Sequence, residues 1–142
     1  MTPENLGALV HYRLEQAQEA LRDAQLLLGE GSPRAAVNRS YYAMFYAVLA
    51  LLASRQEETS KHSGVIALFN RLYVKNGRFS KNFSKWLRRG FDLRTRCDYA
   101  PMVAVSAEEA AELMSHAVEF VARVAEELKT MTDDGPELRR TK

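Results

Sequence analysis

In the stretch RGFDLRTRCDY, residues 89–99, three arginines crowd around two Asp, one Cys and one Tyr. Arg94 continues the apolar stripe Phe83, Leu87, Gly90, Phe91, so a helix here turns it toward the interior. Asp98, four residues on, shares its face. An unpaired buried charge is strongly unfavourable, and Asp98 is the nearest partner by spacing. Two uses remain open: an Arg94–Asp98 ion pair that only fixes the fold, or a site for phosphate. Guanidinium forks suit phosphate oxygens, and a phenol such as that of Tyr99 can stack on a base. A second polar group, Asn38-Arg39-Ser40, precedes Tyr41-Tyr42. Arg39, Tyr42 and Tyr46 lie on one helix face by their spacing, and Arg39 and Tyr42 could line one cleft with Arg94 and Tyr99. His62, beside Lys61, opens another apolar stripe and is read either as a packed or capping side chain or as a catalyst. His11 and His116 have no partner by spacing, and Cys97 reads as a small packed side chain. No nucleophile elbow, no Gly-rich phosphate loop and no paired Cys or His spacing occurs. Neither a metal nor a cofactor is therefore expected.

The elements that position these residues follow from composition and patterning. The chain has 142 residues, 46% hydrophobic and 27% charged, which suits one globular domain. Pro and Gly are few and β-branched residues sparse, favouring helices over sheets. The N-terminus lacks a signal-peptide pattern, and the longest apolar run, Tyr41–Ala53, is too short to span a bilayer. With a single Cys, these features point to a cytoplasmic protein without a membrane anchor. Net charge is +2, but residues 70–96 carry nine Lys and Arg against Asp92 alone. That segment is +8 and the remainder −6, the pattern of a basic face on an acidic body, which suits an anionic partner.

Five helices are predicted. The first follows Thr2-Pro3 and stops at GEGS. The second, about Pro33–Ser54, starts behind Ser32 and is apolar nearly all round after Ser40, hence central. Ser60 is expected to cap a third helix running to about Val74 with a stop at Gly77, and Ser80 a fourth. Pro101 forces an exit, and Ser106 with Glu109 reads as a capping box opening the last helix. Short loops make an all-α, antiparallel up-down bundle the economical arrangement, over residues 1–131, with a polar tail at 132–142 expected to be disordered.

The segments AAVNRSYYAMFYAVLALL, KHSGVIALFNRLYVKNGRFSK and LRTRCDYAPMVAVSAEEAAEL, in this order and spacing, resemble HEPN-domain proteins, in particular their small stand-alone prokaryotic branch. The resemblance covers roughly residues 8–128. It implies a helical bundle that forms a homodimer, often as an RNA-cleaving toxin or defence component encoded beside a small nucleotidyltransferase antitoxin. In the ribonuclease members an Arg, a polar follower and a His a few residues later form the active centre. Arg94 and Thr95 match the first two. The His position falls in CDYAP, where this chain has Asp98 and Tyr99. Cleavage through the 2′-hydroxyl needs a base and an acid, and a carboxylate paired with a guanidinium is a poor acid.

Three readings follow. The first is an RNA- or nucleotide-binding HEPN module with a nucleotidyltransferase partner, contacting its ligand through Asn38, Arg39, Tyr42, Lys61, Arg88, Arg89 and Arg96. The second is a metal-independent endoribonuclease toxin using Arg94 with Asp98, Tyr99 or His62. The third is a non-catalytic structural or interaction protein.

Overall fold

The computed structural model describes residues 2–59, 61–100, 102 and 104–133. They form α1 (Pro3–Gly29), α2 (Pro33–Ser54), α3 (His62–Phe69) with a π-helical continuation (Asn70–Val74), α4 (Lys81–Tyr99) and α5 (Ala107–Asp133). No strand occurs among the described residues, and the chain is an all-α bundle of five helices. The expected Ser60 cap, Pro101 and residues 134–142 of the expected tail lie outside the described residues. The helix expected to reach Val74 does so, but its last five residues are π-helical, with the Lys75 N–H donating to Asn70 O at 2.8 Å.

Chain-end chemistry explains the starts. Thr2 Oγ1 accepts from the Asn5 N–H at 3.1 Å and Pro3 occupies the first turn of α1, where a missing N–H costs nothing. Ser106 and Glu109 form the reciprocal box, Ser106 Oγ accepting from Glu109 N at 3.0 Å and Glu109 Oε1 from Ser106 N at 3.2 Å. Ser32 and Ser80 occupy cap positions without a side-chain cap bond. Gly77, at φ 84°, adopts the left-handed conformation expected of a stop.

α2 is the buried centre. Between Ala36 and Ala53 only Asn38, Arg39, Tyr42, Tyr46 and Leu49 escape full burial, and they form one stripe. α1 packs on α2 through Ala17, Ala20 and Ala24, small enough to let the helices approach closely. α4 approaches α2 at Gly90, where an added Cβ would lie 2.8 Å from Met44 Cε and 3.2 Å from Tyr41 Cδ1. Arg34, at the start of α2, donates to the Cys97 carbonyl near the end of α4, so these two helices are antiparallel. At the entrance to α4, Arg78 Nε donates to Glu127 Oε2 at 2.5 Å, and Arg123 Nη2 donates to Glu127 Oε1 at 3.1 Å. At the other end, Arg89 and Arg96 reach Glu109, 3.4 and 3.2 Å away, which sets α5 antiparallel to α4.

α3 runs in the same sense as α2. His62 at its start lies beside Tyr41 and Phe45, while Tyr73, further on, donates to Leu51 O at 3.2 Å. The chain from Ser54 therefore travels back along α2 before α3 begins. That return sets His62 against the N-terminal half of α2.

Candidate functional site

α2 and α4 bring their polar residues together where Gly90 allows close contact. Arg94 Nη1 donates to Tyr42 Oη at 3.0 Å, and its guanidinium carbon lies 5.5, 5.6 and 5.8 Å from the ring centroids of Tyr41, Tyr42 and Phe91. Ring faces attract the cation and replace part of its lost hydration. Its carboxylate partner is Asp98, at 3.5 Å, but the Asp98 side chain is 41% exposed while Arg94 is 15% exposed. Arg94 Nε is buried without a hydrogen-bond partner, as is the hydroxyl of Thr95. Arg94 thus faces inward as its spacing predicts, and Asp98 sits at the rim.

His62 joins the cluster from α3. Its Nδ1 lies 2.7 Å from Tyr41 Oη, and its ring stacks on Phe45 at 4.4 Å. The same three rings that hold Arg94 also surround His62, with centroids 5.7 Å (Tyr41), 5.8 Å (Tyr42) and 6.1 Å (Phe91) away. Burial, and then the positive charge of Arg94, lower the His62 pKa below the usual histidine value, so the neutral ring is favoured. Burial raises the Tyr41 phenol well above its ordinary value, a shift that Arg94 and Arg88 partly oppose, so Tyr41 stays protonated.

Among the candidate ligand contacts, Arg39 lies 5.3 Å from the Tyr42 centroid and donates from Nε to Asn38 Oδ1 at 3.1 Å. Two guanidinium groups, Arg39 and Arg94, therefore converge on Tyr42. Arg88 is exposed, its guanidinium 5.8 Å from the Phe91 centroid, and Lys61 is exposed beside His62. Arg89 and Arg96 share Glu109, whose pKa is lowered by the Ser106 backbone N–H and then by Arg96. These two cations already have a counterion. Tyr99 is 80% exposed and, five residues beyond Arg94, starts about 140° further round the helix, away from the cluster. Burial raises the Cys97 thiol above its usual range, as suits a packed side chain.

Sequence reasoning did not place Tyr41 and Phe45 in the site. Tyr41 reads as a core tyrosine, and its contact with His62 spans 21 residues and a loop, which no helical periodicity encodes. His116, for which spacing offers no partner, stacks on Trp86 with centroids 4.5 Å apart. Among the described residues no group of three His, Cys, Asp or Glu converges as a metal site, and no helix is long and apolar enough to cross a membrane.

The chain is an all-α bundle in which an arginine of α4 lies on an aromatic bed beside a histidine of α3. Residues 10–128 match the model of the HEPN domain, and the chain belongs to that family. It is 40% identical over 124 residues to a UPF0332 protein of Thermotoga maritima, covering 85% of this chain and 94% of that one. It is also 33% identical over 126 residues to a Methanocaldococcus jannaschii protein named "Putative toxin", with 89% and 90% of the two chains covered. A UPF0332 protein of Gloeobacter violaceus is 30% identical over 131 residues, 87% of this chain and 100% of that one.

Proposed function

We propose that this chain is a toxin-type HEPN module that binds RNA, or a nucleotide, through a phosphate held at Arg94. The observation that carries the reading is the imbalance of charge at the cluster. Arg39 and Arg94 each lie against the Tyr42 ring with one carboxylate, Asp98, at the rim, and the buried Arg94 Nε has no partner. Such a cation bound by rings rather than by a buried carboxylate keeps its capacity for an anion. The exposed Lys61 and Arg88 extend the positive surface along a strand of phosphates. The toxin names carried by two Methanocaldococcus jannaschii relatives support the toxin assignment.

In this reading the module works as a homodimer and is neutralised by a small nucleotidyltransferase. The half-exposed stripe Tyr42, Tyr46 and Leu49 on an otherwise buried α2 supports a second copy as neighbour. Sedimentation should show a dimer at micromolar concentration, and a monomer there would remove that part of the proposal.

The binding test is fluorescence anisotropy with a short single-stranded oligoribonucleotide across a salt series. Affinity should fall with salt, and Arg94→Ala should weaken it roughly tenfold or more, the scale of a lost charge-assisted hydrogen-bond pair. The absence of binding at low salt would overturn the reading.

A further inference from the structure

We propose that His62 is a neutral hydrogen-bond donor locked in its Nε2–H tautomer by Tyr41, and that its Nε2–H and Arg94 together grip one phosphate group. The proposal rests on the anion-binding reading above and assigns His62 a binding role rather than that of a base.

The Tyr41–His62 contact fixes the tautomer. Tyr41 is fully buried, and its hydroxyl meets His62 Nδ1 at 2.7 Å and no other hydrogen-bond partner among the described residues. A phenol is the stronger acid and an imidazole nitrogen the stronger base. The hydroxyl therefore donates, and Nδ1 accepts with its lone pair. Were Nδ1 the donor, the buried hydroxyl hydrogen would be left without an acceptor, an unfavourable arrangement in a dry site. A neutral imidazole has one N–H, and with Nδ1 accepting it sits on Nε2.

The surroundings keep the ring neutral. The groups facing it are Tyr41, Tyr42 and Phe45 from α2, and Phe91 and Arg94 from α4, with Lys61 adjacent in the chain. Arg88 acts on the same pocket through Tyr41. Burial and then the Arg94 cation oppose a positive charge on the imidazole, and the one carboxylate nearby, Asp98, lies at the rim 3.5 Å from Arg94. Nε2 makes no hydrogen bond among the described residues, so its N–H is available. Arg94 and His62 lie against the same three rings, so a charged fork and a neutral imidazole share one aromatic bed. Phosphate oxygens accept from both donor types, and a phosphate's spare lone pairs accommodate both at once.

The tautomer is read directly by long-range 1H–15N NMR on the full chain labelled at histidine. The Nε2–H pattern is expected for His62 from pH 6.5 to 8, and the Nδ1–H pattern would overturn the proposal. In anisotropy titrations with the labelled oligoribonucleotide, His62→Ala should weaken binding several-fold, while His62→Gln, whose amide keeps a donor near the Nε2 position, should restore most of it. Tyr41→Phe releases Nδ1, so the imidazole charges more readily, and binding should then tighten as pH falls below about 6.5 where the natural protein stays flat. If His62→Ala does not fold, His62→Gln, Tyr41→Phe and the movement of the His62 15N signals on adding oligoribonucleotide carry the test. His62 signals that stay unmoved while RNA binds would overturn the proposal. Arg94-dependent binding that His62→Ala leaves unchanged overturns the His62 role alone. No binding by the natural protein overturns the underlying reading as well. Competition by AMP alone distinguishes a free nucleotide from a strand, since a strand-specific site is not displaced by the mononucleotide at matched phosphate concentration.

Discussion

At the entrance to α4 the Arg123 guanidinium lies 4.4 Å from the Phe79 ring centroid and donates to Glu127, which Arg78 also binds. Near the exit of the same helix, Arg94 lies over three rings and faces Asp98. Both regions set arginine on aromatic rings beside a carboxylate, yet their electrostatic states differ. Glu127 is only 4% exposed, both of its oxygens are bonded by arginines, and Glu126 lies 3.8 Å from Arg123, so two carboxylates balance two guanidinium groups within the fold. Asp98 is at the rim, 3.5 Å from one arginine nitrogen, and Arg94 keeps an unpartnered donor. The first cluster is a clamp between α5 and the turn that leads into α4. The second is an incomplete one, and in the proposed function an anion completes it. The presence of arginine therefore separates nothing here; the depth of its carboxylate does.

The largest expected effect breaks the clamp. Glu127→Ala should lower stability by about 3 kcal/mol in urea unfolding, the low end for a broken buried pair because both arginines can turn to water. RNA affinity should be unchanged, and a loss matching that of Arg94→Ala would erase the contrast between the regions. Arg94→Ala should lower stability by only about 1–2 kcal/mol, from the Tyr42 bond and ring contacts, while removing most binding. A stability loss as large as that of Glu127→Ala would make Arg94 structural.

Smaller effects sharpen the comparison. Gly90→Ala should cost about 1 kcal/mol in urea unfolding, since the gain in helix propensity offsets part of the overpacking against Met44 and Tyr41. Because Tyr41 must shift, the His62 NMR signals should move in this variant. Signals left in place would show the site decoupled from the α2–α4 contact. A double-mutant cycle of Arg94→Ala with Asp98→Ala should give a coupling below about 1 kcal/mol, as for surface pairs. A coupling of several kcal/mol would restore the buried ion pair as the role of Arg94. The least effect is on pH dependence. The folded state lowers the His62 pKa, so the unfolded chain binds that proton more readily. The His62 contribution is therefore fully present above about pH 6.5 and lost as pH falls toward the lowered folded pKa. His62→Gln should flatten this part of the urea-unfolding profile, and an unchanged slope would contradict the burial argument.

Helix positions were legible because caps and periodicity are local. The Ser106–Glu109 box and the span Pro33–Ser54 need only neighbours in the chain to be read. Arg94 was legible as an inward residue because it continues the stripe through Gly90 and Phe91. The partner of that arginine was less so. Helical spacing sets Asp98 on the same face, but how far Asp98 reaches into solvent depends on where α4 ends. The Tyr41–His62 bond was not legible, since it depends on the chain returning along α2 to start α3. The π-helical turn at Asn70–Val74 carries no composition signal that distinguishes it from the α-helix it prolongs.

In the proposed function Arg94 is kept incomplete for an anion, while Arg123 is not. Anisotropy titrations of one oligoribonucleotide against the natural protein, Arg94→Ala and Arg123→Ala, at low and moderate salt, test it most directly. Weaker binding and a shallower salt dependence are expected for Arg94→Ala alone, with Arg123→Ala matching the natural protein while folded. Equal affinities and equal salt slopes for all three proteins would contradict it.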